Sequence, residues 1–159
     1  TDMSPLAPEF GQALHSDLAM KAQPYPAFRY VPFLAEVAST CNEVLLSEYM
    51  IAHAASDAER AWYLSELVET IRTTIYRQTL FAEFELKFHE HAEQGNALTP
   101  DFLNGLYGDL IKTYYGPDFA MGENDECEWM FIPHFYYNFY VFQYATSKAA
   151  ASATPISTG

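Results

Sequence analysis

Leu6–Ser16, LAPEFGQALHS, sets the helical reading of the whole chain. Leu6, Phe10, Leu14 and Leu18 recur every four residues, which puts them on one stripe of a helix over about 6–21. Within that helix, Pro8-Glu9-Phe10-Gly11-Gln12 has the frame of HExxH without its two histidines. In a complete frame, imidazoles four residues apart lie on one helix face and bind Zn²⁺. The glutamate after the first is the general base for the metal-bound water. The base position is filled here by Glu9, and the glycine stands. Pro8 and Gln12 hold the ligand positions, and neither residue type ligates zinc. Alone, such a frame says nothing; its neighbours decide what it means.

Outward from this stretch, the sequence reads as helices with no strand pair and no internal repeat. Pro24 and Pro26 force an extended connection. Pro32 suits the first turn of a second helix, running to about Ala55. Ser56-Asp57-Ala58-Glu59 has capping-box spacing and opens a third. It carries Leu64, Val68, Ile71 and Ile75 on one face, then Phe81, Phe84 and Phe88, and ends near Gly95. At roughly 57 Å from the helical rise, that helix is long enough to expect a break. Thr99-Pro100 supplies the cap and first residue of a fourth helix, which Gly116-Pro117 stops. An acidic loop over 116–128 leads to a fifth, strongly aromatic helix from Pro133 to about Ala151. The expected class is an all-α multi-helix bundle, with one domain over 1–151 and a flexible tail over 152–159.

Composition narrows the partners. The 159 residues are half hydrophobic and 16% aromatic, enough to bury a core. A formal charge of −13 repels phosphate backbones and anionic membranes, so neither nucleic acid nor a membrane surface is expected as a partner. No apolar run reaches the ~18 residues of a membrane span, and no secretory leader pattern stands at the start. Cys41 and Cys127 form no disulfide framework, which suits buried free thiols and a cytoplasmic location.

Two further stretches carry chemistry. On the second helix, Glu36, Ser39 and Glu43 form one polar edge of an apolar helix. A carboxylate on a second helix is what a two-histidine zinc site needs as its third ligand, and Ser39 and Glu43 would brace it from behind. Spacing alone fits a solvated glutamate edge at least as well. In the fifth helix, His134, Tyr137 and Tyr144 fall at i, i+3 and i+10 on one face. Aligned polar tips could donate hydrogen bonds to a substrate carbonyl or oxyanion. A packed aromatic helix with its hydroxyls at the rim explains the same pattern. His89-Glu90-His91 with Glu85 offers imidazole and carboxylate at i and i+4, but alternation sends the histidines to different faces and suits a solvated helix side. His15 reads as a satisfied histidine near Gln12. A di-iron bundle fails, because no glutamate stands three residues before any histidine.

Together LAPEFGQALHS, QPYP, FLAEVASTCNEVLL, YRQTLFAEFELKFHEHAEQG and IPHFYYNFYVFQYATS resemble oligoendopeptidase F and its thimet-oligopeptidase relatives, from about Asp2 to Ser147. The resemblance implies a zinc metallopeptidase that cuts short peptides in a channel between helical halves. It places Glu9 on the general base and Glu36 on the glutamate zinc ligand. His134, Tyr137 and Tyr144 fall on substrate and transition-state contacts. It also implies a chain corresponding to the C-terminal part of a much longer enzyme.

The departures from that pattern shape the expectation. With Pro8 and Gln12 at the histidine positions, zinc, which the family uses, is expected to be absent or weakly bound. Glu9 then has no metal-bound water to activate, and little or no peptidase activity is expected from this chain alone. The alternatives are a non-catalytic module binding short peptides through the aromatic face, and a helical domain that self-associates through apolar surface left uncovered.

Overall fold

The computed structural model describes residues 6–153, and its six α-helices are joined by turns, a π-helical turn and two 3₁₀ helices. Helix α1 is Leu6–Ala22, α2 Pro32–Ala52, α3 Asp57–Ile71, α4 Arg77–Glu93, α5 Pro100–Tyr115 and α6 Phe142–Ala153. Among the described residues there is no strand, so the class is all-α. No described helix is long and apolar enough to cross a membrane. Ser152 and Ala153 close α6, and the rest of the expected tail, 154–159, lies outside the described residues.

Helix ends follow local chemistry. Pro32 is the first residue of α2, preceded by Val31 in extended geometry. The Ser56 hydroxyl accepts the Glu59 amide at 3.2 Å, and Glu59 reaches back to accept the Ala55 amide at 2.7 Å. The capping box is therefore real but shifted by one amide. Thr99 caps α5 by accepting from the Phe102 amide at 3.3 Å, and Gly116, at φ +85°, ends it in a conformation side chains avoid. The long third helix breaks as expected: Arg72–Tyr76 is a π-helical turn between α3 and α4. The Thr70 hydroxyl donates to the Glu66 carbonyl at 2.9 Å, and that of Thr73 to the Glu69 carbonyl at 2.8 Å. Side chains bonding carbonyls one turn back perturb the backbone ladder there.

The chain forms two compact units. The first holds the residues up to Ile75 and those from Gln143 onward; the second is Tyr76–Phe142. In the first, α1 and α2 pack through small residues. A Cβ on Gly11 would stand 2.5 Å from the Ala38 carbonyl oxygen, and the Asn42 amide donates to the Ala7 carbonyl at 2.5 Å. The segment of α6 at Ser147 and Lys148 closes on α2. Ser147 Oγ donates to the Phe33 carbonyl at 3.2 Å, and Lys148, 2% exposed, reaches Glu43 at 3.2 Å. In the second unit, Phe81 and Phe84 of α4 pack on Tyr107 of α5, and Leu80, Leu110 and Ile111 are buried on the same two helices.

Leu6, Phe10, Leu14 and Leu18 share one stripe and are each more than half exposed, and the inner face of α1 is Ala7 and Gly11. Close helix approach selected small residues for that face, leaving the large stripe outside. In α3, Leu64 and Val68 are likewise exposed. Both cysteines are free, as expected, but half-buried rather than buried. The largest correction concerns the aromatic stretch. Pro133 opens not a long α-helix but a five-residue 3₁₀ helix, Pro133–Tyr137. Asn138 and Phe139 then take φ of 47° and 58°, and helix resumes only at Phe142. Two left-handed residues in succession cannot continue a right-handed helix.

Candidate functional site

Pro8, Glu9 and Gln12 lie in the first two turns of α1. Pro8 falls where backbone amides have no intrahelical acceptor, so its missing N–H costs no ladder bond. Pro8 and Gln12 share one face at i and i+4, while Glu9 is exposed. Gly11 lets this turn approach α2 at Ala38.

Glu36 is half-buried on α2, two residues before that contact. The buried Ser39 hydroxyl lies 3.2 Å from Glu36 Oε2 and also bonds the Glu36 carbonyl at 3.0 Å, steering the carboxylate. Thr40 donates to the same carbonyl at 2.6 Å. Glu43, further along the polar edge, is engaged by Lys148 rather than by a residue of α1. His15 stacks on Tyr30, with ring centroids 4.0 Å apart and planes 18° from parallel, and Tyr30 shares a hydrogen bond with Ser16.

His134 and Tyr137 belong to the second unit and Tyr144 to the first. The break at Asn138–Phe139 removes the continuous helix face expected to align the three residues. Within the second unit the His134 ring lies edge-on to Tyr137 at 6.3 Å and stacks with Tyr140 at 6.1 Å. Tyr137 is exposed, as an outward-facing ring on a short helix must be.

The histidine–glutamate stretch of α4 is not a solvated face. His91 stacks on Phe102 at 3.7 Å, and His89 packs against Phe139 at 4.6 Å. Glu85 is 1% exposed and accepts the Phe139 amide at 2.7 Å. Burial pushes its carboxyl above the usual range, against the pull of that amide and of His89. Polar groups of this unit that sequence reading left unremarked form a second network. Arg77 and the Tyr107 hydroxyl both bond Glu128, the latter at 2.6 Å, and Tyr114 donates to Glu83 at 2.7 Å. No sequence motif announces these pairs; only the packing of α4, α5 and the 125–131 helix brings them together.

The donor set does not fit a zinc ion held by two imidazoles and a carboxylate. Proline offers no side-chain donor, and glutamine only a neutral amide. Among the described residues no three His, Cys, Asp or Glu side chains are grouped to hold a metal ion. Of the expected ligand set, Glu36 alone is a residue type that zinc favours.

The described residues thus form an all-α fold with Glu9 on α1, Glu36 on α2 and a histidine–tyrosine segment at Pro133–Tyr137. The chain belongs to Peptidase family M3, which it matches over residues 1–158. It is 47% identical over 148 residues to oligopeptidase PepF of Bacillus subtilis, covering 93% of this chain and 22% of that protein. With the chromosomal oligoendopeptidase F of Lactococcus lactis subsp. cremoris it shares 46% identity over 151 residues, 95% of this chain and 25% of the relative. The crystal structure of oligoendopeptidase-F from Enterococcus faecium superposes with a TM-score of 0.77 at 41% identity, covering 94% of this chain and 27% of that one. The chain thus spans about a quarter of the length of the relatives it matches.

Proposed function

We propose that this chain is an M3-type, peptide-handling catalytic segment that does not by itself hydrolyse peptides. Its relatives are named as oligopeptidases, which supports short peptides as the ligand class. The observation that carries the reading is Pro8-Glu9-x-x-Gln12 on the α1 face where a metal-binding frame would present two histidines. Glu9 remains as an exposed carboxylate, and Glu36 as a carboxylate braced by the Ser39 hydroxyl. Losing one group behind the ligands costs about 10–100-fold in metal affinity or activity, so replacing two direct ligands removes specific zinc binding. What remains is recognition: His134 and Tyr137 on the 133–137 helix supply donors and aromatic faces to a peptide backbone.

Restoring both histidines tests this reading. Pro8→His with Gln12→His is expected to bind stoichiometric zinc through the new imidazoles and Glu36, while the unaltered chain turns over no quenched fluorescent peptide with or without added zinc. Chelator-sensitive cleavage by the unaltered chain would overturn the reading, and a double variant that binds no zinc would remove Glu36 from it.

A second reading draws on the outward stripe Leu6, Phe10, Leu14 and Leu18. Four large apolar side chains in line exceed the scattered exposure normal for a surface, and a second copy of the chain would cover them. Sedimentation equilibrium distinguishes the two: Phe10→Lys with Leu14→Lys dissociates such a dimer and leaves peptide binding intact.

A further inference from the structure

A glutamate occupies a core position of α4 that its neighbours fill with Leu80, Phe81 and Phe84. Burying a carboxylate is costly unless something answers it. Its Oε1 accepts the Phe139 N–H at 2.7 Å. Asn138 and Phe139 both stand in the left-handed region, at φ 47° and 58°. Asparagine tolerates that region; phenylalanine does so rarely, and such geometry persists only where the surroundings over-determine it. One turn beyond Glu85, His89 takes the Phe139 ring at 4.6 Å. A cavity of about 360 Å³ adjoins the turn, lined in part by Glu85, Tyr114 and Phe139, so close apolar packing does not complete its support.

We propose that Glu85 and His89 are positioning residues, which hold the Asn138–Phe139 turn by its amide and its ring and so set the 133–137 helix bearing His134 and Tyr137. The proposal rests on the reading of His134 and Tyr137 as peptide contacts. Glu85 gives the Phe139 amide of the left-handed turn an acceptor, and His89 fixes which way the ring faces. The tyrosine and histidine ahead of the turn then occupy one arrangement rather than several, so a peptide meets a preorganised surface. The histidine–glutamate stretch of α4 thereby gains a role without a metal.

The test follows the Phe139 amide by hydrogen exchange in the full chain, alongside affinity for a fluorescein-labelled polyalanine octapeptide. Glu85→Met removes the acceptor and is expected to speed Phe139 exchange on the order of 10–100-fold, as loss of a buried charged acceptor would. The Phe84 and Tyr107 amides should stay protected, and octapeptide affinity should fall. Glu85→Gln keeps a carbonyl oxygen for the amide, so protection should return to within about threefold of the original chain, and affinity with it. Unchanged Phe139 exchange in Glu85→Met, equal acceleration of every amide in 76–142, or no rescue by Glu85→Gln would each overturn the proposal. Should Glu85→Met not fold, His89→Ala and Glu85→Gln decide. The first must accelerate Phe139 and the second must not; any other pattern overturns the clamp. An original chain that binds no octapeptide overturns the peptide reading, while exchange still judges the clamp.

Discussion

Gly11 shows how a single missing side chain sets an interface. A Cβ there would meet the Ala38 carbonyl oxygen at 2.5 Å and the Asn42 Cβ at 3.0 Å, both on α2. Backbone cannot swing aside, so Gly11→Ala must part the two helices. We expect a loss of about 1–3 kcal/mol despite alanine's better helix propensity, read as a lower urea midpoint; an unchanged or higher midpoint would contradict the packing. Tyr114 makes a different residue-scale prediction. Burial first, then its bond to Glu83 and that carboxylate's charge, push its hydroxyl up to about 12 from an ordinary 10.0. The folded state therefore keeps a proton that the unfolded state releases, and stability drains as pH climbs from 10.0 towards 12. Glu83 is shifted the other way, held below 4.5 chiefly by Lys87 and then by Tyr114. Its contribution is present above 4.5 and lost as pH falls through its lowered value. In an absorbance titration, Tyr114→Phe should remove one late-ionising phenol; loss of an ordinary one would contradict the assignment.

At the scale of elements, α6 is held to α2 by an asymmetric ion pair. Lys148 is 2% exposed, whereas the side chain of Glu43 is 30% exposed and can still reach water. Removing the carboxylate strands a buried ammonium; removing the ammonium strands a solvated carboxylate. Glu43→Ala should thus cost about 3 kcal/mol, below the upper range for a wholly buried pair, and Lys148→Met clearly less. Equal losses in thermal unfolding would contradict this asymmetry. Element ends were the part of the fold most legible in sequence. Pro32, Ser56 with Glu59, and Thr99-Pro100 each act within one turn of themselves, so their chemistry is local. The aromatic stretch was illegible for the opposite reason. Pro133 followed by rings reads as a helix start, and nothing within 133–141 reveals that Glu85, 54 residues earlier, takes the Phe139 amide. Which face of α1 packs was not legible either: large apolar residues mark burial on average, but close helix approach favours Ala7 and Gly11.

For the whole molecule, membership of Peptidase family M3 was legible because long stretches of residues, not one motif, carry it. The sequence singles out Glu9 and Glu36 as candidates by residue type and spacing, but it does not give the geometry around them. His134, Tyr137 and Tyr144 read as one helix face, whereas the first two and the last belong to different compact units. We propose that an M3 scaffold persists here with Pro8 and Gln12 at the positions of its metal ligands. Zinc stoichiometry tests it most directly, by elemental mass spectrometry on protein equilibrated with zinc and dialysed, beside the chain carrying Pro8→His and Gln12→His. No retained zinc is expected in the first and about one per chain in the second, as two imidazoles and a carboxylate require. A stoichiometric zinc in the unaltered chain would contradict it.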